Sequence, residues 1–290
     1  MSATPLTWGG RSIPAPGGLP AVAVSLTGPS LAQARTQAHS AVGAGADVLE
    51  LRVDLLEETG AVAAPEPLDA ATAAAQVLEC LRGLGEIIAA DGADAGAGAP
   101  LLLTCRTAAE GGRARLDDTA YAALLRSVLD GLTDWTPERR PAAIDVEVQR
   151  GCLPQICAQA HALDIDVVAS FHDFEATPAD EALEEVLARM AREGADLAKI
   201  AVWPTTADDV ARLLGVCARA TAGAGEGADL GVPVAAMSMG ALGAVSRVAP
   251  AFGSALTFAV VPDEQGQSRA SAPGQLPLQD VRRCLELLRA

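Results

Sequence analysis

The chain has 290 residues, half of them apolar, with few aromatics and a net charge of −16 at pH 7. That balance excludes electrostatic capture of nucleic acid or of an anionic membrane surface, and points instead to a small-molecule partner. Closed α/β barrels run to roughly 250 residues, so the length suits one large domain, and no stretch reads as a linker that would divide residues 1–290.

Residues 1–20 form an N-terminal extension with Gly, Pro and a single Arg11, and without the apolar core of a secretory signal. Within it, 7–14 is expected to form a small hairpin plugging the lower end of the fold. Eight short β-branched or Leu-rich runs follow, at 21–26, 47–52, 101–106, 142–148, 166–170, 196–202, 232–238 and 255–261. Helical spacing fits 30–44, 68–90, 118–132, 153–163, 178–193, 206–222, a short segment at 243–248, and 278–288. Eight strand-plus-helix units predict an α/β fold of the closed (β/α)8 TIM barrel type rather than an open doubly wound sheet. An open sheet would need a Gly-rich phosphate turn after its first strand, and Thr27-Gly28-Pro29-Ser30 is not one, although Ser30 suits a helix N-cap. The Ala/Gly-rich stretches 61–67, 91–99 and 221–231 read as flexible surface loops. No apolar run reaches the ~20 residues needed to span a bilayer, so a soluble cytoplasmic protein is expected.

The six cysteines, Cys80, Cys105, Cys152, Cys157, Cys217 and Cys284, contain no Cys-x-x-Cys pair and read as buried thiols in a reducing compartment. Cys152, Cys157 and His161 loosely imitate a metal pattern, but Cys157 and His161 are simply i, i+4 neighbours on a helix, and no metal is expected.

Barrels of this kind present their chemistry at the C-terminal ends of the strands. The second strand ends Glu50-Leu-Arg52-Val-Asp54, the third leads into Arg106 and Glu110-Gly-Gly112, and the fourth carries Asp145 and Glu147. The fifth leads into Ser170-Phe-His172, the sixth carries Lys199, and Met237-Ser-Met-Gly240 closes the seventh, with Ser246-Arg247 beyond. Strand alternation puts Glu50 with Arg52, and Ser170 with His172, on shared faces. Ionised groups converging on an apolar axis are costly to desolvate unless they pair or bind something. Two readings follow: a ligand site, or a structural ion-pair network among Glu50, Arg52, Arg106, Glu110 and Glu147. The strand-end place of His172 favours a catalyst over a satisfied core histidine, whereas His39 and His161 lie within helices and read as structural.

Lys199 is the only lysine, set against 20 arginines. An amine that must lose its proton and attack a carbonyl cannot be a guanidinium, so Lys199 reads as an imine-forming residue. The alternative is chance survival in an arginine-rich sequence.

At these positions the chain resembles the type I 3-dehydroquinate dehydratase family, from about residue 21 to the C-terminus. The likeness rests on Glu50-Leu-Arg-Val-Asp54, Arg106-Thr with Glu110-Gly-Gly112, Ser170-Phe-His-Asp-Phe174, Lys199-Ile-Ala201, Met237-Ser-Met-Gly240 with Ser246-Arg247, Phe252-Gly-Ser254 and Ser271-Ala-Pro-Gly-Gln275. It implies a lyase of the shikimate pathway and aromatic amino acid biosynthesis, which dehydrates 3-dehydroquinate to 3-dehydroshikimate. By the same resemblance Lys199 is the Schiff-base lysine, His172 the general acid/base and Glu110 the carboxylate that orients it. Ser25, Glu50, Arg52, Arg106, Arg247, Ser271 and Gln275 match substrate-contact positions. No cofactor or metal is implied, and a homodimer is. The chain departs from the family at Trp203, where a Met is common after Lys-Ile-Ala, and in its Ala/Gly-rich loops.

A protonated imine on Lys199 would supply the electron sink that lets an imidazole remove a proton alpha to a ketone. Residues 266–275, small with polar tips, are expected to form a lid over bound substrate, the alternative being a plain surface loop. Two rival functions remain at this stage. One is a class I aldolase, for which Met239-Gly-Ala-Leu-Gly243 would have to serve as a phosphate nest; the other is a binding or scaffold barrel in which Lys199 and His172 are dispensable.

Overall fold

Two short strands, β1 (Leu6–Trp8) and β2 (Arg11–Ile13), form the expected antiparallel hairpin. Its apolar tips, Trp8 and Ile13, are fully buried among Leu102, Ala143, Val168, Leu197 and Leu256. The indole N–H of Trp8 donates to Asp166 Oδ2 at 2.7 Å, which ties the hairpin to the start of a barrel strand. This is the computed structural model of the chain, and it describes residues 4–63, 69–88, 99–222, 230–262 and 269–289.

The barrel then builds in chain order: β3 (Ala21–Leu26), α1 (Leu31–Gly43), β4 (Val48–Arg52), a short α2 (Gly60–Ala63), α3 (Ala70–Ile88), β5 (Leu101–Thr104) and α4 (Asp118–Gly131). It continues through β6 (Ala143–Glu147), α5 (Leu153–His161), β7 (Asp166–Asp173), α6 (Asp180–Arg192), β8 (Leu197–Val202), α7 (Ala207–Thr221), β9 (Val234–Ser238) and β10 (Leu256–Val260). A two-residue β11 (Leu276–Pro277) and α8 (Leu278–Leu287) complete it. Strands β3 to β9 pair in sequence, all parallel, and β10 returns to pair with β3. The seam between β9 and β10 closes at its base, where the Ala255 N–H reaches the Val234 carbonyl at 2.7 Å; higher up, β11 pairs with the end of β10. The expected (β/α)8 TIM barrel is therefore the fold, with small and branched apolar side chains filling its axis and a second apolar layer between strands and helices.

Local signals explain the element ends. Ser30 caps α1 in a reciprocal capping box with Gln33, and Thr206 does the same for α7 with Asp209. The fifth barrel strand runs longer than expected, to Asp173, because its pairing with β8 continues through Ser170 opposite Lys199 and His172 opposite Ala201. The expected strand at 101–106 stops at Thr104, so Arg106 lies on the loop beyond it. The short segment after β9 is a 3₁₀ turn, Ala244–Val248, and not an α-helix. Of the expected loops, 61–63 is helical as the end of α2, while 64–67, 91–98 and 223–229 lie outside the described residues.

Five of the six cysteines are buried free thiols, and Cys284 corrects the expectation by standing half-exposed on α8. Burial pushes Cys157 and Cys217 up to about 12, so both remain protonated. His161 bonds Asp196 at 2.8 Å. Among the described residues no helix is long and apolar enough to cross a membrane.

Candidate active site

Parallel register sets the floor of the site. Glu147 lies opposite Ser170, and Ser170 opposite Lys199, so three neighbouring strands deliver polar side chains at one level near the barrel mouth. From β4, Glu50 and Arg52 enter two residues apart, as alternation requires.

Lys199 is only 5% exposed. Its Nζ lies 3.5 Å from Asp145 Oδ2 and 3.9 Å from Glu50 Oε1, and sits 4.6 Å from the centre of the Phe258 ring. Burial is the largest influence on its amine and disfavours the ammonium form; Asp145 and Glu50 oppose this, Arg106 and Arg52 reinforce it, and the pKa ends below the ordinary lysine value.

His172 is aimed by Glu110, whose Oε2 accepts both the His172 backbone N–H at 3.1 Å and its ring Nδ1–H at 2.9 Å. With its proton on Nδ1, the imidazole turns a basic Nε2 toward the cavity. Burial first, and then the cations Arg106, Lys199 and Arg52, hold the His172 pKa well below the usual histidine range. Glu110 is driven the opposite way, to about 8, by burial and the nearby Glu147 against the pull of Arg106.

Around this pair runs a buried web that fulfils part of the ion-pair reading. Arg106 bonds Asp145 at 2.8 Å, Glu147 at 3.1 Å and the Ser170 hydroxyl at 2.9 Å, with Glu110 at 3.8 Å. Thr107 seats Glu147 through its N–H at 2.8 Å and its hydroxyl at 2.6 Å. Arg52 does not join that web: Asp54 holds it with two bonds of 2.8 Å and also accepts the backbone N–H groups of Arg106 and Arg113. Asp54 thus fastens the loop that carries Arg106 and Glu110.

Among the described residues Arg247 has no such partner. It is 2% exposed, its two terminal nitrogens reach only the carbonyls of Phe258 at 3.5 Å and Pro273 at 3.1 Å, and its Nε makes no hydrogen bond among the described residues. Burial alone pushes its pKa down to about 10. A buried cation without a counter-ion is costly, and an anion entering the cavity relieves the cost.

The described part of the expected lid, 269–275, crosses the mouth, and 266–268 lie outside the described residues. Ser271 donates to the Ser25 hydroxyl at 2.7 Å and accepts from Gln275 at 3.0 Å, while Ser25 in turn donates to Glu50. The Gly240 N–H bonds the Pro273 carbonyl at 3.1 Å. Gly274, at φ +81, approaches so closely that an added Cβ would lie 2.3 Å from the Gly240 carbonyl oxygen. In the turn at 239–243, Gly240 spends its N–H on the lid and Met239 spends its own on Val202, so neither is available to a phosphate. Trp203, the departure from the family pattern, lies outside the cavity wall and faces Gly240, 3.5 Å from where a Cβ on that residue would stand.

Together these elements line a pocket whose empty volume, counted out into its open mouth, is about 460 Å³, and of the anticipated residues only Ser25 is absent from its lining, standing behind Ser271. The sequence left Asp145, Asp54 and Ser170 without roles. Alternation with Glu147 and proximity to Arg52 were the available signals for the two aspartates; Phe258, also in the lining, carries no local signal, and Met237 entered only as part of the Met237-Ser-Met-Gly240 motif.

A polar cavity at the C-terminal mouth of a parallel (β/α)8 barrel, walled by titratable groups that perturb one another, defines an α/β-barrel enzyme. Residues 22–290 match the model of the type I 3-dehydroquinase family, and the chain belongs to that family of hydro-lyases. The 3-dehydroquinate dehydratase of Lactiplantibacillus plantarum is 38% identical over 276 residues, covering 93% of each chain. That of Albidiferax ferrireducens is 34% identical and covers 100% of this chain and 96% of its own. Among solved structures, 3-dehydroquinate dehydratase from Geobacillus kaustophilus superposes with a TM-score of 0.79 at 27% identity, covering 99% of this chain and 97% of its own. The type I enzyme of Clostridium difficile, solved with covalently modified comenic acid, gives the same TM-score and identity, covering 99% of this chain and 98% of its own.

Proposed function

We propose that this chain dehydrates 3-dehydroquinate to 3-dehydroshikimate through an imine between the substrate ketone and Lys199, with residues 1–290 acting as one catalytic domain. Family membership supports the dehydration and its place in the shikimate pathway. The observation that carries the imine is the one lysine of the chain, buried against Phe258 with its pKa lowered, beside a histidine held neutral.

In this reading the neutral amine adds to the ketone carbon, its proton shifts to the former carbonyl oxygen, and with one further proton taken up from solvent that oxygen leaves as water, so that a protonated imine replaces the carbonyl. Nε2 of His172 takes the alpha proton, the electrons of that C–H bond pass toward the imine nitrogen, and an enamine results. The imidazolium then gives its proton to the departing beta hydroxyl, and the returning electron pair forms the ring double bond and restores the imine. Water releases the product. The carboxylate of the substrate pairs with Arg247, whose guanidinium has no anionic partner of its own among the described residues. The lid closes over the ring and brings Gln275 to a hydroxyl.

Sodium borohydride added to enzyme turning over 3-dehydroquinate should reduce the imine and leave a stable adduct on the peptide containing Lys199. Mass spectrometry that finds no adduct under turnover removes the imine from the scheme. The assembly we propose is a homodimer, as the family resemblance implies; sedimentation equilibrium should give twice the 29.4 kDa chain mass, and a monomer at assay concentration rejects it.

A further inference from the structure

The lysine nitrogen has two carboxylates within reach, and their surroundings differ. Glu50 stands at 3.9 Å on the cavity wall, and its two oxygens already accept the hydroxyls of Thr104 and Ser25. Asp145 is nearer, at 3.5 Å, and lies wholly buried behind that wall, outside the cavity lining. Its Oδ1 accepts the Ser170 hydroxyl at 2.7 Å; its Oδ2 is shared between Arg106 Nη2 at 2.8 Å and the lysine. Burial works against its ionisation, but Arg106 and Lys199 outweigh it and hold the carboxyl below its usual range.

We infer that Asp145 is the counter-ion of the Lys199 nitrogen: it fixes the direction of Nζ and keeps the imine protonated, without touching substrate. The assignment rests on the imine reading and adds a positioning residue to it. The physical reason is a balance. A free carboxylate 3.5 Å from the amine would hold the proton that must be lost before attack, but Arg106 takes part of the charge on the same oxygen. Once the amine has become an imine, the electron sink works only while that nitrogen is cationic, and Asp145 is the closest anion to stabilise it. No proton passes to Asp145 in either step.

Other charges face the same nitrogen and must be separated from it in any test. They are Glu50 and Arg52 from β4, Arg106 after β5, His172 on β7 with its partner Glu110, Glu147 beside Asp145, and Arg247 across the cavity. The chain offers a direct probe, because it contains a single lysine. Full-length protein grown with ¹⁵Nζ-lysine has one side-chain amine signal, whose shift reports the ionisation of residue 199 alone.

Asp145→Asn should lower that titration by about one pH unit or more, the scale for losing an opposite charge within ~4–6 Å. Glu50→Gln should move it less. Ser170→Ala, which removes a hydrogen bond to Asp145 but no charge, should leave it near wild type. In turnover, Asp145→Asn should cost about tenfold or more in kcat, one pKa unit being a factor of ten, with KM little changed. A titration in Asp145→Asn that matches wild type, or a larger shift in Glu50→Gln, overturns the assignment. Should Asp145→Asn fail to fold, ¹³C-carboxyl labelling of the unmutated protein decides: the Asp145 resonance must follow the lysine titration more strongly than that of Glu50, and the reverse order rejects it. Borohydride trapping on wild type tests the imine separately, so its failure is distinguishable from failure of the counter-ion.

Discussion

Lys199→Arg removes turnover of 3-dehydroquinate, by on the order of 10⁵-fold, while the far-ultraviolet circular dichroism spectrum stays that of wild type. Arginine keeps a positive charge beside Asp145 and Glu50, so neither buried carboxylate is stranded. What disappears is the ability to shed a proton. The lysine amine is pushed below its normal pKa mainly by burial, whereas a guanidinium stays protonated at any pH the protein survives. A substitution that conserves charge and fold yet abolishes rate isolates nucleophilicity from electrostatics. Kinetics with purified protein decide the matter, and a variant within tenfold of wild type is incompatible with covalent catalysis at this residue.

His172→Ala is expected to lower kcat by roughly 10²–10⁴, the range for a lost general acid–base group. Imine formation should survive, so borohydride still labels Lys199 in this variant, and the substrate adduct accumulates instead of turning over. The pH dependence separates the two residues. In kcat/KM the acid limb belongs to free Lys199, which must be neutral to attack, and it lies below the normal lysine value because burial disfavours the ammonium. In kcat the lysine is already in the imine, and the acid limb belongs to His172. Burial, Arg106, Lys199 and Arg52 all disfavour the imidazolium, so the base remains available as pH falls through the ordinary histidine value of 6.5, and rate is lost only below it. A kcat profile that breaks at or above 6.5 and persists in His172→Ala would assign the limb to another group.

The barrel is legible because its signals are local. Runs such as Ala21–Leu26 and Leu197–Val202 are short, apolar and followed by helical spacing, and Ser30 with Gln33 spells a capping box within four residues. The hairpin falls where it is expected, with β1 and β2 overlapping the span 7–14. Where the reading slipped, a partner strand decided. Pairing with β8 carried β7 on to Asp173, and the short helix after β9 tightened into a 3₁₀ turn over Ala244–Val248, where the Ser246 hydroxyl accepts the Ser238 N–H and donates to the Gly243 carbonyl.

The order of residues alone specifies which chemical groups stand at the strand ends: one lysine, a histidine, carboxylates and arginines, at spacings that alternation turns toward the axis. Their states and partners are decided only by folding, because those depend on neighbours far along the chain. Asp145 meets Lys199 across 54 residues, Glu110 meets His172 across 62, and Arg52 turns to Asp54 rather than to the web around Arg106. Desolvation, which lowers the amine and the imidazole and leaves Arg247 in want of an anion, belongs to the closed barrel and to no single segment of the sequence.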